Sequence, residues 1–202
     1  MQVTGSASSA QFAVFLDRDG TINVDVDYLS SPDELRFIPR SVEAIRSLNE
    51  AGIRVFVITN QSGIARGYLT ETEMHAVHDA MNAQLKRQGA WIDGFFYCPH
   101  HPSAAVEQYK MKCSCRKPAP GMLIEAAARH TIDLASSFVI GDKAIDVQTG
   151  RAVGATCIQV ATGYGTAEKD AGAQWRDHYT NDLYEAVLIV KSIIHQRGQP
   201  IT

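Results

Sequence analysis

The chain has 202 residues and a formal net charge of −3, with 45% hydrophobic and 20% charged residues. These proportions are ordinary for a globular protein and exclude a disordered or fibrous chain. They also argue against nucleic acid or an anionic membrane surface as a partner, because the chain has no basic excess and no basic stripe with aromatic residues.

The N-terminal residues 1–11 are mostly small and polar and lack the basic segment that begins a signal peptide. No apolar run approaches the ~18 residues of a membrane helix. We therefore expect a flexible leader over 1–11, a single domain over 12–202, and a cytoplasmic location. Since disulfides are rare in a reducing cytoplasm, the 4 cysteines are expected to be metal ligands or buried thiols.

Short apolar runs alternate with helical patterns along the chain. The predicted strands are 13–16, 53–58, 95–97, 138–140 and 156–160. Except for the third, these runs are almost continuously apolar, which is typical of strands covered on both faces.

Five helices are predicted between and after these strands. Their approximate ranges are 41–50, 70–88, 120–127, 144–152 and 183–194. Thr70 and Glu73 form a capping box, and Gly52 and Gly89 follow the ends of two helices. The alternation predicts a Rossmann-like three-layer α/β fold with a central parallel sheet and right-handed crossovers.

Ligands of such sheets bind beyond the carboxyl ends of the strands, and three strand ends here carry polar side chains. These groups are Asp17 to Thr21 after the first strand, Thr59 to Gly63 after the second, and Asp142, Lys143 and Asp146 after the fourth. Arg116 and Lys117 add cations just before the third helix. A cation with oxygen ligands, such as Mg²⁺, would relieve the repulsion between Asp17 and Asp142.

The order of these motifs resembles the haloacid dehalogenase superfamily of phosphohydrolases. The resemblance spans about 12–165 and rests on DRDGT, a Thr after a strand, a Lys near a helix start, and GD-x-x-x-D. Longer strings resemble its heptose 1,7-bisphosphate 7-phosphatase branch and the related histidinol phosphatases. These strings are DRDGTIN, TNQSGIARG, YCPHHP, C-x-CRKP-x-PGM and GDK.

The resemblance implies a role for each motif. Asp17 would be the nucleophile that forms an aspartyl-phosphate, and Asp19 the general acid and then the general base. Thr59 and Lys117 would hold the transferring phosphoryl oxygens. Mg²⁺ would be held by the Asp17 side chain, the Asp19 backbone carbonyl and Asp142. Asp146 would support the magnesium shell or Lys117.

A cluster of soft ligands lies in a loop over about 98–115. Its members are Cys98, His100, Cys113 and Cys115, a set that suits structural, tetrahedral Zn²⁺. His101 competes with His100 on spacing, and the family resemblance selects His100. Cys157 is expected in the core. His75 and His78 share a helix face that we expect to be solvated.

Substrate choice is expected to depend on loops, because no cap domain fits within the 42 positions between Asp19 and Gln61. The resemblance implies contacts to a sugar bisphosphate from Asp25, Val26, Asp27, Tyr28, Thr59, Asn60, Gln61, Ser62, Arg116, Lys117 and Lys143. The 7-phosphate would occupy the magnesium site and the distal phosphate would lie near Arg116, whose fork suits phosphate.

Two alternatives remain open from the sequence. Histidinol phosphate is a competing substrate on the same fold, since the relatives share the cysteine loop. A non-catalytic, zinc-stabilised interaction module is the alternative from a different class. No long apolar stripe demands a dimer, so a monomer is expected.

Overall fold

A central parallel sheet organises the protein. The structure is a computed structural model, and it describes residues 11–198. The strands in this range are β1 (Ala13–Leu16), β2 (Arg54–Asn60), β3 (Gly94–Cys98), β4 (Phe138–Gly141), β5 (Thr156–Val160) and β6 (His178–Thr180). They form one sheet in the order β3-β2-β1-β4-β5-β6, and each neighbouring pair is parallel.

Helices cover both faces of this sheet, as the sequence predicts. They are α1 (Ser41–Glu50), α2 (Ser62–Arg66), α3 (Glu71–Lys86), α4 (Gly121–His130), α5 (Ala144–Arg151), α6 (Lys169–Gly172) and α7 (Leu183–Gln196). Val14 and Leu16 of β1 pack in a core with α1, α3 and α7. Ala13 and Phe15, which alternate with them, pack in a second core with α4. The three-layer α/β fold is therefore confirmed.

The strand order places a topological switch point beside β1. The chain runs outward from β1 through β2 to β3, and then returns to the other side of β1 for β4. Leu16 pairs with Ile140 across these two strands. Open α/β sheets bind ligands where the order reverses, in the crevice beyond the strand ends. Whatever follows β1 and β4 therefore shares that crevice.

Local sequence signals fix several helix boundaries. The Thr70 hydroxyl accepts the Glu73 N–H and the Glu73 carboxylate accepts the Thr70 N–H, so the capping box at the start of α3 is confirmed. At α7 the Asp182 side chain accepts the Glu185 N–H. Such caps satisfy backbone donors that the first helical turn leaves free.

Short elements escaped the sequence prediction. The strand β6 has three residues, α6 has four and α2 has five. Segments of this length are too short to show a hydrophobic period, and tertiary contacts decide them. The α2 helix begins directly in the polar segment after β2.

The N-terminal prediction lies mostly outside the described residues. Gln11 is the described exception, and its backbone N–H donates to the Thr131 carbonyl at 3.2 Å. Among the described residues, no helix is long and apolar enough to cross a membrane.

Candidate active site

A buried lysine lies between a carboxylate that follows β1 and a carboxylate in the first turn of α5. The Lys117 Nζ is 2.6 Å from Asp17 Oδ1 and 2.7 Å from Asp146 Oδ1, and it donates to the Ile58 carbonyl at 3.0 Å. All three charged side chains are almost fully buried. Burial disfavours the Lys117 charge, but the two carboxylates outweigh it and raise the Lys117 pKa.

Negative charge remains in excess at this end of the sheet. Burial and the Asp146 charge raise the pKa of Asp17 to about 6 even though Lys117 opposes the shift. Burial and the charges of Asp17 and Asp146 raise the pKa of Asp142 to about 8. The environment therefore favours any additional cation that lies between these groups.

The surroundings of Asp142 leave one of its carboxylate oxygens free to bind such a cation. Its Oδ2 accepts the Tyr164 backbone N–H at 2.8 Å, while Oδ1, within the described part of the chain, is buried without a hydrogen-bond partner. Added Cβ atoms at Gly20 and Gly163 would lie 2.4 Å and 2.3 Å from Asp142 Oδ2, so these two positions must lack side chains. Oxygen ligands from Asp17, Asp142 and Asp146 lie within 4.8 Å of one another. This donor set fits Mg²⁺, which takes carboxylate oxygens.

Asp19 is held differently, by donors from three residues. Arg18 forms an ion pair with it at 2.8 Å, Asn23 Nδ2 donates to Oδ1 at 2.9 Å, and Gln61 Nε2 donates to Oδ2 at 3.1 Å. Burial alone would raise the Asp19 pKa, but the Arg18 charge and these hydrogen bonds outweigh it and lower the pKa. Asp19 is therefore ionised near neutral pH, beside a pair of carboxyls whose charge is disfavoured.

The polar residues at the end of β2 connect these groups. The Asn60 side chain accepts the Lys117 N–H at 3.0 Å and donates to the Lys117 carbonyl at 3.2 Å. The Thr59 hydroxyl accepts the Gln61 side-chain N–H at 2.8 Å, which leaves its own O–H available to donate into the cleft. Asn60 at the end of β2 therefore fixes the backbone of Lys117, and Gln61 just after the strand orients Thr59.

A cleft of about 290 Å³ opens above these groups. It is lined by Asp17, Asp19, Asp25, Asp27, Tyr28, Thr59, Asn60, Ser62, Arg116, Lys117, Lys143, Ile145, Asp146, Tyr164 and Glu168. Of the residues predicted for catalysis, substrate binding or magnesium, three do not line it: Val26 is exposed on the loop, Gln61 is buried beneath Asp19, and Asp142 is buried beneath the cleft.

One side of the cleft is built around Lys143. Its Nζ donates to Asp25 Oδ2 at 3.0 Å and lies 4.5 Å from the centre of the Tyr164 ring. The Glu168 carboxylate accepts the Ala144 N–H at 2.6 Å at the start of α5. Sequence reasoning missed Tyr164 and Glu168, although both follow the fifth strand. The strand-end rule, applied to β5 as it was to the other strands, would have found them.

The predicted soft ligands converge in the loop over 98–115. The Sγ atoms of Cys98, Cys113 and Cys115 are 3.0 to 3.5 Å apart, and His100 Nδ1 is 3.3 Å from Cys115 Sγ. Cys157 is fully buried in the core, as predicted. None of the four cysteines forms a disulfide. The cluster offers four donor atoms within 4.8 Å of one another, enough for a closed metal site.

This loop is joined to the cleft through its backbone. Arg116 Nη1 donates to the His100 carbonyl at 3.3 Å, and the Gln61 N–H donates to the Cys98 carbonyl at 2.8 Å. Cys115 directly precedes Arg116 and Lys117. Any ion held by the cysteines therefore constrains where these two cations point.

The prediction for His78 is wrong. Its neighbour His75 is exposed, but His78 is buried, stacked on the Phe95 ring at 4.4 Å and 3.1 Å from Arg18 Nη1. Spacing on a helix identifies which residues share a face. It does not show that a guanidinium from the end of β1 lies under one of them.

Comparison with known proteins agrees with this architecture. A family model described as HAD-hydrolase-like matches residues 114–186. D-glycero-beta-D-manno-heptose-1,7-bisphosphate 7-phosphatases from Yersinia pestis and Escherichia coli K12 are each 42% identical over 177 residues, which is 87% of this chain and 94% and 93% of theirs. The chain belongs to this family of HAD-like phosphatases.

Solved structures extend the match to the fold. The D,D-heptose 1,7-bisphosphate phosphatase of B. bronchiseptica, solved with magnesium and phosphate, has a TM-score of 0.81 and 34% identity. It aligns over 90% of this chain and 99% of its own. The Burkholderia thailandensis enzyme aligns over the same shares with a TM-score of 0.68 and 36% identity. This HAD phosphatase is therefore similar to its relatives over nearly their whole length.

Proposed function

We propose that this HAD phosphatase is a Mg²⁺-dependent enzyme that removes the 7-phosphate of D-glycero-D-manno-heptose 1,7-bisphosphate, a step in heptose precursor synthesis for lipopolysaccharide or surface polysaccharide. One observation carries the proposal. A single cleft contains the carboxylates Asp17 and Asp19 at its floor and two separate cations, Arg116 and Lys143, at its sides. The family membership of the chain and the names of its relatives support this substrate class.

Asp17 is the nucleophile in this mechanism. One carboxylate oxygen attacks phosphorus, the bond from phosphorus to the sugar oxygen breaks, and an aspartyl-phosphate forms. Lys117, 2.6 Å from Asp17 Oδ1, orients the carboxylate and neutralises negative charge as the phosphoryl group approaches. Thr59 donates its free O–H to a phosphoryl oxygen, and Asn60 and Ser62 border the same space.

Asp19 moves the proton. It gives a proton to the departing sugar oxygen, and it then takes one from the water that attacks the aspartyl-phosphate. Its lowered pKa in the resting cleft suits the second step directly. For the first step, the incoming phosphate dianion raises the Asp19 pKa by like-charge repulsion, so that the carboxyl takes up a proton as substrate binds.

The side chains of Asp17 and Asp142 and the backbone carbonyl of Asp19 would hold Mg²⁺. When bound, the ion neutralises charge on the carboxylates and the phosphoryl oxygens. Asp146 pairs with Lys117 at 2.7 Å and keeps that cation in place.

The loop over 25–28 and two cations recognise the rest of the substrate. Asp25 and Asp27 accept hydrogen bonds from sugar hydroxyls, and Tyr28 forms an aromatic side of the cleft with Val26 beside it on the loop. Lys143 contacts the substrate from the opposite side. Arg116 binds the distal phosphate through its two-pronged guanidinium.

A substrate panel tests this assignment. The panel compares kcat/KM for both heptose bisphosphate anomers, fructose bisphosphate and histidinol phosphate. We expect a heptose bisphosphate to exceed the others by about tenfold or more, because a built polar site discriminates strongly. Histidinol phosphate is the second candidate, because Asp25, Asp27 and Glu168 in the cleft lining could pair with its amine.

The same panel run on Arg116→Ala tests the distal phosphate contact. We expect kcat/KM to fall about 10- to 100-fold for the bisphosphate, since a charge-assisted contact is lost, and to fall far less for a monophosphate. Equal losses for both substrates would contradict the assignment of Arg116.

Zinc is the metal of the cysteine–histidine cluster in this proposal. Four ligands around Zn²⁺, with Zn–S bonds of roughly 2.3 Å, lie about 3.8 Å apart. The donor separations of 3.0 to 3.8 Å come close to that value. Burial raises the pKa of the Cys98 thiol, so a cation is needed to stabilise its thiolate.

Cys113→Ser is expected to lose zinc and activity together. Loss of one ligand loosens the loop that holds Arg116 against the His100 carbonyl, and we expect kcat/KM to fall by about 10- to 100-fold. Metal analysis and kinetics on one sample measure both effects. Cys157→Ala, which removes a thiol outside the cluster, should retain zinc. A zinc-free Cys113→Ser protein with full activity would disprove the coupling.

The protein is expected to be a cytoplasmic monomer. Thiolate ligands persist in a reducing compartment, which supports the cytoplasmic assignment. The residues proposed for catalysis and for magnesium lie together in a single chain, which supports the expectation of a monomer. Size-exclusion chromatography with light scattering measures the mass.

A further inference from the structure

A buried polar network lies behind Asp19, on the side away from the cleft. Arg18 is 1% exposed and does not line the cleft. Its Nε and Nη2 donate to the two Asp19 oxygens at 2.8 to 3.1 Å, and Nη2 also reaches Gln61 Oε1 at 3.2 Å. The remaining nitrogen, Nη1, is 3.1 Å from His78 Nε2. One guanidinium therefore connects Asp19, Gln61 and His78.

The chemistry of this contact fixes the state of His78. A guanidinium can only donate, so His78 Nε2 must accept and the ring proton must be on Nδ1. Burial and the Arg18 charge lower the pKa of His78 to about 3, so the ring is neutral. Its plane stacks on Phe95 at an angle of 15°. His78 therefore gives Arg18 a fixed neutral acceptor.

Stability alone is a weak explanation for this arrangement. Burying an arginine and a histidine carries desolvation costs, and an apolar set of similar volume is often equally stable or more so. The network ends on the carboxylate assigned here to proton transfer. A proton donor works only within hydrogen-bond reach of its target, so its orientation affects the rate directly.

We propose that Arg18 and His78 are positioning residues that hold the Asp19 carboxylate in the orientation required for proton transfer to the leaving oxygen. Arg18 donates hydrogen bonds directly to the Asp19 carboxylate. His78 acts through Arg18, because its contact with Nη1 fixes the rotation of the guanidinium. The inference rests on the proposed function, because it gives Asp19 its acid–base role. Without the His78 acceptor, a buried donor of Arg18 is unpaired and the guanidinium turns to find another partner.

The test uses leaving groups that differ in their need for an acid. When a heptose bisphosphate reacts, the sugar departs as an alkoxide that must be protonated, whereas the dinitrophenolate that departs from 2,4-dinitrophenyl phosphate needs almost no protonation. The rate of Asp17 phosphorylation is measured in a single turnover with Mg²⁺, for wild type and for His78→Phe. The phenylalanine keeps the stacking on Phe95 and removes the acceptor.

We expect the phosphorylation rate of His78→Phe to fall about 10- to 100-fold on the sugar phosphate and less than about threefold on the aryl phosphate. KM should change little, because neither residue lines the cleft. His78→Gln, which restores an acceptor, should recover most of the rate. His75→Ala, an exposed change on the same helix, serves as the matched control and should equal wild type.

Equal losses on both substrates, or a His78→Gln protein as slow as His78→Phe, would overturn the proposal. If His78→Phe does not fold, His78→Leu replaces it with the same readout. If neither folds, the network is structural and the proposal is wrong. Wild type in the same assay separates this test from the proposed function: a wild type inactive on both substrates refutes the function itself.

Discussion

Asp17→Asn is expected to abolish phosphatase activity while leaving the fold intact. The amide has no negative oxygen to attack phosphorus, so kcat should fall on the order of 10⁴-fold or more, as when other enzymes lose a nucleophile. The loss should appear on a generic aryl phosphate as well as on the sugar bisphosphate. Steady-state phosphate release from both substrates measures it.

The melting temperature of Asp17→Asn serves as the control that its fold is intact. Burial and Asp146 raise the pKa of Asp17 to about 6, above the value of the unfolded chain. Ionised Asp17 therefore opposes folding at neutral pH when no cation is bound, and this cost grows as the pH rises through that range. In buffer without Mg²⁺, Asp17→Asn should melt at the same temperature as wild type or higher. Added Mg²⁺ should raise the melting temperature of wild type more than that of the variant.

Residual turnover by Asp17→Asn close to that of wild type would remove Asp17 from the nucleophile role. A wild type inactive on every phosphate ester in Mg²⁺ would instead favour the zinc-stabilised interaction module. The two outcomes can be told apart, since the first is turnover measured on Asp17→Asn and the second is a lack of turnover measured on wild type.

Lys117→Met is expected to damage both stability and catalysis. It removes the cation between Asp17 and Asp146 and leaves both carboxylates buried without it. Breaking a buried pair in this way costs about 3–5 kcal/mol in the free energy of unfolding. Loss of the contact to the phosphoryl group should lower kcat/KM a further 10²- to 10³-fold in molecules that remain folded.

The pH dependence of the stability deficit of Lys117→Met shows whether the deficit is electrostatic. Lys117 opposes the raised pKa of Asp17, so without it that pKa rises further, and protonation of Asp17 then relieves its repulsion with Asp146. The stability deficit relative to wild type should therefore be largest at pH 8 and shrink as the pH falls toward 5. Urea unfolding at several pH values measures this difference. Lys143→Met is the matched stability control: its partner Asp25 is partly exposed, so we expect a cost below about 1 kcal/mol.

A double variant isolates the electrostatic part of the effect. Adding Asp146→Asn to Lys117→Met removes one of the unpaired charges and should recover stability without recovering activity. A Lys117→Met deficit that does not change with pH would contradict this explanation and would point to packing alone.

The positions of the chemical groups were predictable from the sequence because they follow strong signals. The runs that became β1, β2 and β4 are almost continuously apolar, so the polar residues that follow each run stand out, although β2 itself continues through two of them to Asn60. Parallel strands bring those ends to one edge of the sheet. The spacing of the cysteines likewise predicts their convergence. Two close pairs of soft ligands within one short loop are typical of a tetrahedral zinc site.

The buried network behind Asp19 was not predictable in the same way. Arg18 is visible in the sequence between two aspartates, but its partner His78 comes from a helix about 60 positions later. No local pattern links the two. Gln61 illustrates the same limit: its motif suggests the cleft, yet its amide is used to hold Asp19 and Thr59.

The product of the reaction tests the central claim most directly. Wild type with Mg²⁺ and heptose 1,7-bisphosphate is followed by ³¹P NMR. The mechanism predicts that the resonance of the 7-phosphate disappears, inorganic phosphate grows in step with it, and the 1-phosphate resonance persists on the product. Loss of the 1-phosphate, or an intact bisphosphate under conditions in which histidinol phosphate is hydrolysed, would contradict it.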